Sequence, residues 1–383
     1  MNTTNNHSQN MSIKNLPNSE PSLQGNVVVG SSPPRGKEEK PILTIIIPTY
    51  NMEKYLRHCL DSLIVPNMDK VEVLVINDGS KDSSSAIGHE YQDKYPQTFR
   101  VIDKENGNYG SCVNRGLKEA TGKYVKVLDA DDSFNKDAFR SFIEYLCKID
   151  VDLVLTDFCI VDEQDNITEK YVYSDWNNYI PVRKRFDFVD FINKPNINFN
   201  GQMHGITYRT EMFANMNYHQ TEGVSYTDQE WVFKPMTYVK TCEYIDIQLY
   251  RYLVGRSGQT MKNVGKSIKQ LIIVVFSMAD FFISQDEKSV YRKYMIHQLE
   301  GQIDYIYRIG LLDRGFDLNI LRDFDNKLES YQFLYQLVEK EGIIFSHPYF
   351  LQYIKYWRKH KCKKLPLLFI LANKMKLTFK ELH

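Results

Sequence analysis

Four short apolar runs recur between residues 43 and 128, each ending in polar or acidic residues, with helical patterns between them. The first, Leu-Thr-Ile-Ile-Ile at 43–47, is nearly continuous, as expected of a strand buried on both faces of a parallel sheet. The second, 71–76, breaks at Asn77-Asp78-Gly79-Ser80, a turn signal. The third, 99–102, leads to Lys104-Glu105-Asn106-Gly107, and the fourth, 124–128, runs into Asp129-Ala130-Asp131-Asp132. Helical spacing is expected over 52–64, where Asn51 is placed to cap, through Tyr91, and over about 112–120. Strand–helix units this short and this regular predict a doubly wound α/β domain with right-handed crossovers.

Such a sheet brings three polar loops, 49–51, 77–80 and 129–132, to its carboxyl edge, where open α/β sheets bind ligands. Asp129, Asp131 and Asp132 repel one another, and a hard divalent cation is the natural remedy because it takes carboxylate oxygens and leaves room for phosphate. An Asp-rich turn, with Asp132 or Ser133 capping the next helix, accounts for part of the cluster. It leaves Asp129 and Asp131, two apart, unexplained. No GxGxxG follows the first run and no GxxxxGK[ST] exists, so neither a dinucleotide cradle nor a P-loop is present. A nucleotide here would be held by side chains and a metal.

Composition narrows the class. The 383 residues carry 48 Lys+Arg against 48 Asp+Glu, so no global field argues for nucleic acid. The 6 cysteines show no CxxC or metal spacing, which suits reduced thiols in a cytosolic protein. Residues 1–40, rich in Asn, Ser, Pro and Gly, read as a disordered leader without a signal sequence. The apolar run 365–372 is too short to span a bilayer, and the expectation is a soluble or peripheral protein.

Ile47-Pro48-Thr49-Tyr50-Asn51, Asn77-Asp78-Gly79-Ser80, Glu105-Asn106-Gly107 and Leu128-Asp129-Ala130-Asp131-Asp132, in this order and spacing, resemble the family 2 glycosyltransferases of GT-A fold. The resemblance covers about 41–252. It implies a Rossmann-like, mostly parallel sheet and inverting transfer of a hexose or N-acetylhexosamine from a nucleotide diphosphate sugar, usually a UDP-sugar, with Mn²⁺ or Mg²⁺ on the diphosphate. It further implies that Tyr50 lies against the base beside Thr49, that Asp78 meets the base edge, that Asp129 lies near the ribose and that Asp131 ligates the metal. Tyr50 also reads as ordinary packing, Asp78 as the holder of its own turn, and Glu53 as a helix N-terminal complement. Where the family often has an Ala-Arg-Asn-x-Gly pattern, this chain has Cys112-Val113-Asn114-Arg115-Gly116, so a donor contact made by that Arg falls to Lys104 or Arg115, or is missing.

Downstream, a helix is expected over 136–148, a strand over 151–156, a strand-rich extension over 158–173 and a short strand over 206–209. The polar, aromatic segment 176–199 matches the family stretch that helps form the acceptor site, and His204 is a lone histidine near it. Tyr226-Thr227-Asp228-Gln229-Glu230 opens a helix to about 238. Asp228 matches the family's catalytic aspartate, though Thr227 stands where Glu usually precedes it. An N-cap role accounts for the same residues, and Glu230 is the reserve base. After closing strands at 242–247 and 249–253, the glycine-hinged loop 252–260 carries Arg256, a lid cation for the leaving group or an exposed arginine.

The catalytic domain is therefore expected over 41–260, followed by an α-helical C-terminal domain, 261–383, with helices at 268–283, 290–309 and 318–337. Its segment 353–377 is basic around Tyr356 and Trp357, fit either for an anionic membrane surface on the inner face of the cell membrane or for packing in the helical domain. The expected partners are a nucleotide sugar and a glycan or lipid-linked acceptor of cell-surface polysaccharide synthesis, with no nucleic acid. A nucleotidyltransferase, which should show a basic Gly-rich loop after the first strand, and a non-catalytic sugar-binding module are the competing readings.

Overall fold

The alternating side chains of the first strand decide where the other elements pack. In β1 (Leu43–Thr49) every residue is buried. Leu43, Ile45 and Ile47 enter one hydrophobic core and Ile46 enters the other, the two-residue period of a strand covered on both faces. This computed structural model describes residues 40–176, 180–256, 264–313, 315–340 and 348–360.

In chain order, β1 is followed by α1 (Leu56–Asp61), β2 (Val71–Asn77), α2 (Ser84–Lys94), β3 (Phe99–Asp103), α3 (Asn108–Glu119) and β4 (Tyr124–Val127). Then come β5 (Ser133–Phe134), α4 (Lys136–Leu146), β6 (Leu153–Val161), β7 (Ile167–Tyr171), α5 (Tyr173–Trp176), β8 (Phe186–Asp187), α6 (Phe188–Ile192), β9 (Ile206–Arg209) and α7 (Glu211–Asn215). The chain continues through α8 (Asp228–Met236), β10 (Thr241–Leu253), α9 (Val264–Ser284), α10 (Arg292–Leu312), α11 (Leu318–Glu329), α12 (Gln332–Lys340) and α13 (Pro348–Lys359). The sheet runs β3-β2-β1-β4-β9-β6-β10-β5, with β7 on β6 and β8 on β10. The pairs β2–β3, β1–β2, β1–β4 and β6–β10 are parallel, while β9 lies antiparallel between β4 and β6. This mixed α/β sheet with a helical C-terminal region is the architecture expected.

Helices α1, α2 and α4 cover one face through Leu60, Ile87 and Phe142, and α3 and α8 cover the other through Val113 and Trp231. A Cβ on Gly116 would lie 2.5 Å from Ile46 Cγ2, so the glycine is what lets α3 lie directly on β1. Several boundaries differ from expectation. The first helix begins only at Leu56, because Asn51 adopts the left-handed conformation and spends its side chain on the Lys81 N–H at 2.8 Å rather than capping. The expected strands at 242–247 and 249–253 are one strand, β10, with register shifts against β6. The helix expected over 318–337 breaks into α11 and α12.

The change of composition near residue 260 does not mark a break in the core. Val274, Val275 and Phe276 of α9 and Leu299 and Ile303 of α10 share one cluster with Ile46 and Val125 of the sheet. Among the described residues one helix window, Ser267–Ser284, is long and apolar enough to cross a membrane, where the expectation rests on the short run 365–372 alone. In the fold this helix packs on α8 and α10 as a core helix. Of the two readings of the basic segment, packing in the helical domain holds for Trp357. It is 0% exposed, set edge-on to Tyr307 of α10, while Arg358 pairs with Asp325 of α11 at 2.6 Å. Residues 361–377 of the basic segment lie outside the described residues.

Truncating a fully buried Trp costs about 3–5 kcal/mol. Trp357→Ala should therefore lower the urea midpoint strongly in an unfolding titration without lipid. Unchanged stability, with anionic-vesicle binding lost in a co-sedimentation assay, would show that the residue serves a membrane instead.

Candidate active site

Strand β1 has β2 on one side and β4 on the other, so the chain reverses its winding there and leaves a crevice at the carboxyl ends of β1 and β4. The turn after β4 fills that crevice with carboxylates. Ligand atoms of Asp129, Asp131 and Asp132 all lie within 4.8 Å of one another. Burial, and next the charge of Asp131, push the Asp129 carboxyl up to about 7. Burial with the same neighbours pushes Asp132 well above its ordinary range. Crowded, half-desolvated hard oxygens fit a divalent cation, whose charge would remove that penalty.

The three carboxylates differ in what else they hold. Asp132 is buried, accepting from the Tyr250 hydroxyl at 2.6 Å and from the Leu253 N–H at 2.7 Å. It clamps the end of β10 to the acidic turn, and does not cap α4, whose cap is Asn135. Tyr250 also accepts from the Asp129 N–H at 3.1 Å, fixing the turn's start. Asp129 accepts from the Tyr109 hydroxyl at 2.8 Å through one oxygen. Asp131 pairs with Arg256, delivered three residues past Leu253, whose guanidinium also lies 5.4 Å from the Tyr55 ring centroid. Asp129 and Asp131 are thus the two carboxylates facing the cleft, and Asp132 supports them.

The cleft, about 640 Å³, is lined on one side by Pro48, Tyr109, Asp129, Asp131 and Arg256 and on the other by residues of α8 and α10. Asp228, the first residue of α8, faces it. Thr227 holds the N-cap position without a side-chain cap bond, and Asp228 instead accepts from Gln229 Nε2 at 3.0 Å. Burial raises the Asp228 carboxyl above its ordinary value, the direction that suits a base working near neutral pH. Glu230, the reserve, is fully buried and bound by Lys234 at 2.6 Å, the Ser277 hydroxyl at 2.6 Å and the Thr221 N–H at 2.7 Å. It fastens α8 to α9 and does not face the cleft.

Other expected residues land elsewhere. Asp78 is 2% exposed, and its carboxylate accepts from the Gly107 and Asn108 N–H groups, each at 2.9 Å, and from Lys104. It knits the 77–80 and 104–108 loops together, and neither it nor Lys104 lines the acidic cleft. Of the two candidates for the missing family arginine, Lys104 also donates to Glu105 O at 2.6 Å and Ser111 Oγ at 2.8 Å, and Arg115 is paired with Glu119 at 3.0 Å. Val113, in that arginine's place, is buried under the sheet. Thr49 is buried, with its hydroxyl donating to Ile47 O at 3.1 Å. Tyr50 is 46% exposed on the β1 loop. Glu53 accepts from the Ser83 N–H at the start of α2, the helix-terminal role open to it. His204 lines the cleft among the rings of Phe158, Tyr250 and Tyr252, and burial followed by the Lys126 charge pushes it down to about 3, too low for proton transfer. Tyr109 and Tyr250 were not legible as site residues, because nothing in their spacing distinguishes them from core tyrosines.

Comparison with known proteins agrees with this geometry. The family model "Glycosyl transferase family 2" matches residues 44–213, the span that holds the strands from β1 to β9 and the acidic turn. Residues 44–213 therefore form a family 2 glycosyltransferase domain. A protein of Bacillus subtilis (strain 168) carrying the name glycosyltransferase EpsH is 25% identical over 67% of this chain and 73% of its own length. An uncharacterized glycosyltransferase of Mycoplasma genitalium, MG025, is 41% identical over 28% of this chain and 37% of its own length. Among solved structures, S. aureus TarS residues 1–349 in complex with UDP-GlcNAc superposes with a TM-score of 0.55 at 18% identity, over 83% of this chain and 92% of that one. This glycosyltransferase therefore shares the fold of that enzyme.

Removing one partner of a buried ion pair costs about 3–5 kcal/mol. Glu230→Gln should accordingly lower thermal stability while the protein still binds UDP with a divalent metal. If the variant is fully stable and has lost only the chemical step, Glu230 and not Asp228 is the base.

Proposed function

We propose that this glycosyltransferase moves a sugar, with inversion, from a UDP-sugar to a hydroxyl of a glycan or lipid-linked acceptor in cell-surface polysaccharide synthesis. The observation carrying the reading is that Asp228 and the Asp129–Asp131 pair face one another across a single cleft at the switch point of the sheet. Support for UDP comes from TarS, a protein of the same fold solved with UDP-GlcNAc. Asp131, with Asp129, would hold Mn²⁺ or Mg²⁺, whose chemistry is to neutralise the diphosphate leaving group. Arg256, the one Lys or Arg lining the cleft among the described residues, adds positive charge on the same side. Tyr50, exposed beside Pro48, offers its ring to the base, and the loop held by Asp78 forms the floor there.

At the other side Asp228 takes the proton from the acceptor hydroxyl as its oxygen attacks the anomeric carbon, and the bond from that carbon to the diphosphate oxygen breaks. Attack opposite the leaving group gives inversion. On the same reading the protein is cytoplasmic, peripheral on the membrane through the basic residues Lys361, Lys363 and Lys364. Nucleotidyl transfer is not favoured, since Pro48 and Thr49 end β1 and Tyr50-Asn51 bend away from it, with no basic glycine loop following the strand.

Asp228→Asn keeps size and hydrogen bonding but cannot accept a proton, so transfer should fall by roughly 10²–10⁴-fold with donor affinity retained. The check is steady-state transfer beside calorimetric UDP-sugar binding. Transfer at near wild-type rate in that variant would remove Asp228 from the mechanism.

A further inference from the structure

The half of the cleft farthest from the acidic turn is built by α10, which lies outside the stretch matched to the family. One face of α10 carries Met295, Leu299, Ile303 and Ile306 into the core. The other presents Gln298, Gly301, Gln302 and Tyr305 to the cleft, at the three- and four-residue spacing of one helical stripe. Tyr305 is 43% exposed, so its ring is open to whatever enters the cleft. Tyr226 lines the same space with φ 69, a left-handed backbone that a bulky side chain adopts only where its surroundings enforce it, and such strain gathers at ligand sites.

We propose that Gln298, Tyr305 and Tyr226 form the acceptor subsite, and that it takes the terminal residue of a neutral saccharide. This rests on the glycosyl-transfer reading above. Two aromatic faces cover the apolar faces of a sugar ring, while Gln298, whose Nε2 donates to Phe199 O at 3.3 Å and is held by it, turns its amide oxygen to accept from a hydroxyl. Charge sets the class. The cleft's charged groups are Asp129, Asp131 and Arg256 on the donor side and Asp228 on the α8 side, while α10 brings amides, a phenol and the His297 imidazole. Burial, and then the Lys293 charge, lower His297, which disfavours its charged form. A phosphorylated acceptor would meet Asp228 there without a cation of its own.

Gln302 has a separate task. It donates to Gln229 Oε1 at 2.8 Å, and Gln229 donates to Asp228 Oδ2 at 3.0 Å. The helix that would hold the acceptor thereby also orients the carboxylate that deprotonates it, which makes Gln302 a positioning residue.

The experiment uses the full chain with Mn²⁺ and UDP-GlcNAc, UDP-glucose or UDP-galactose. Acceptors are methyl glycosides, cellobiose, lactose and chitobiose on one side, and glycerol 3-phosphate and ribitol 5-phosphate on the other. The expected result is transfer to neutral sugars, with Tyr305→Ala and Gln298→Ala each raising the acceptor KM tenfold or more while the donor KM moves less than twofold. Transfer only to the phosphorylated polyols, transfer to none of the acceptors despite UDP release, or acceptor KM values unmoved in both variants would overturn the subsite. Absence of UDP release from all three donors would instead overturn glycosyl transfer itself, and the subsite with it.

Discussion

Mutual repulsion among three carboxylates at the end of β4 is the constraint around which the catalytic half of the molecule is arranged. Asp129, Asp131 and Asp132 come within 4.8 Å of one another in a half-buried turn, where charge is expensive. The surroundings relieve that cost in three ways. Asp132 is satisfied by Tyr250 and the Leu253 N–H, Asp129 by Tyr109, and Asp131 by Arg256. Each partner comes from a different place in the chain, so the turn is also the point at which α3, β10 and the segment after β10 are registered against the parallel sheet. Stability and function meet here, because the crowding that needs these partners is what a diphosphate-bound cation would relieve further.

The C-terminal helices belong to that arrangement. Glu230, buried among Lys234, Ser277 and Thr221, locks α8 to α9, and Gln302 of α10 reaches Asp228 through Gln229. A base on the first turn of a nine-residue helix would be loosely held by that helix alone. Packing it beneath two 21-residue helices gives its carboxylate a fixed direction. The same helices close the far side of the cleft, so chemistry and acceptor recognition share one support.

Much of the fold was legible in the sequence because it depends on local rules. The apolar run of β1 announced a strand buried on both faces, and the residues ending β1, β2 and β4 announced the carboxyl edge. The donor end of the site was legible as a pattern of motifs, but the tasks of its residues were not. Asp78 looks the same in sequence whether it meets a nucleotide or the N–H groups of Gly107 and Asn108, because the choice depends on how a loop thirty residues away folds. Asp132 likewise looked like a helix cap until β10, more than a hundred residues later, brought Tyr250 to it. The acceptor end was the least legible. Its residues recur at helical spacing in α10, as a polar stripe does on any solvated helix, and only the tertiary packing turns that stripe toward Asp228.

The central claim is that the acidic turn holds a metal for a nucleotide diphosphate. Calorimetric titration of the protein with UDP, in Mn²⁺ and again in EDTA, tests it most directly. The account predicts that Mn²⁺ tightens UDP binding at least tenfold, about 1.4 kcal/mol or more, and that Asp131→Asn erases the difference. Equal affinity with and without metal in the wild-type protein would contradict it.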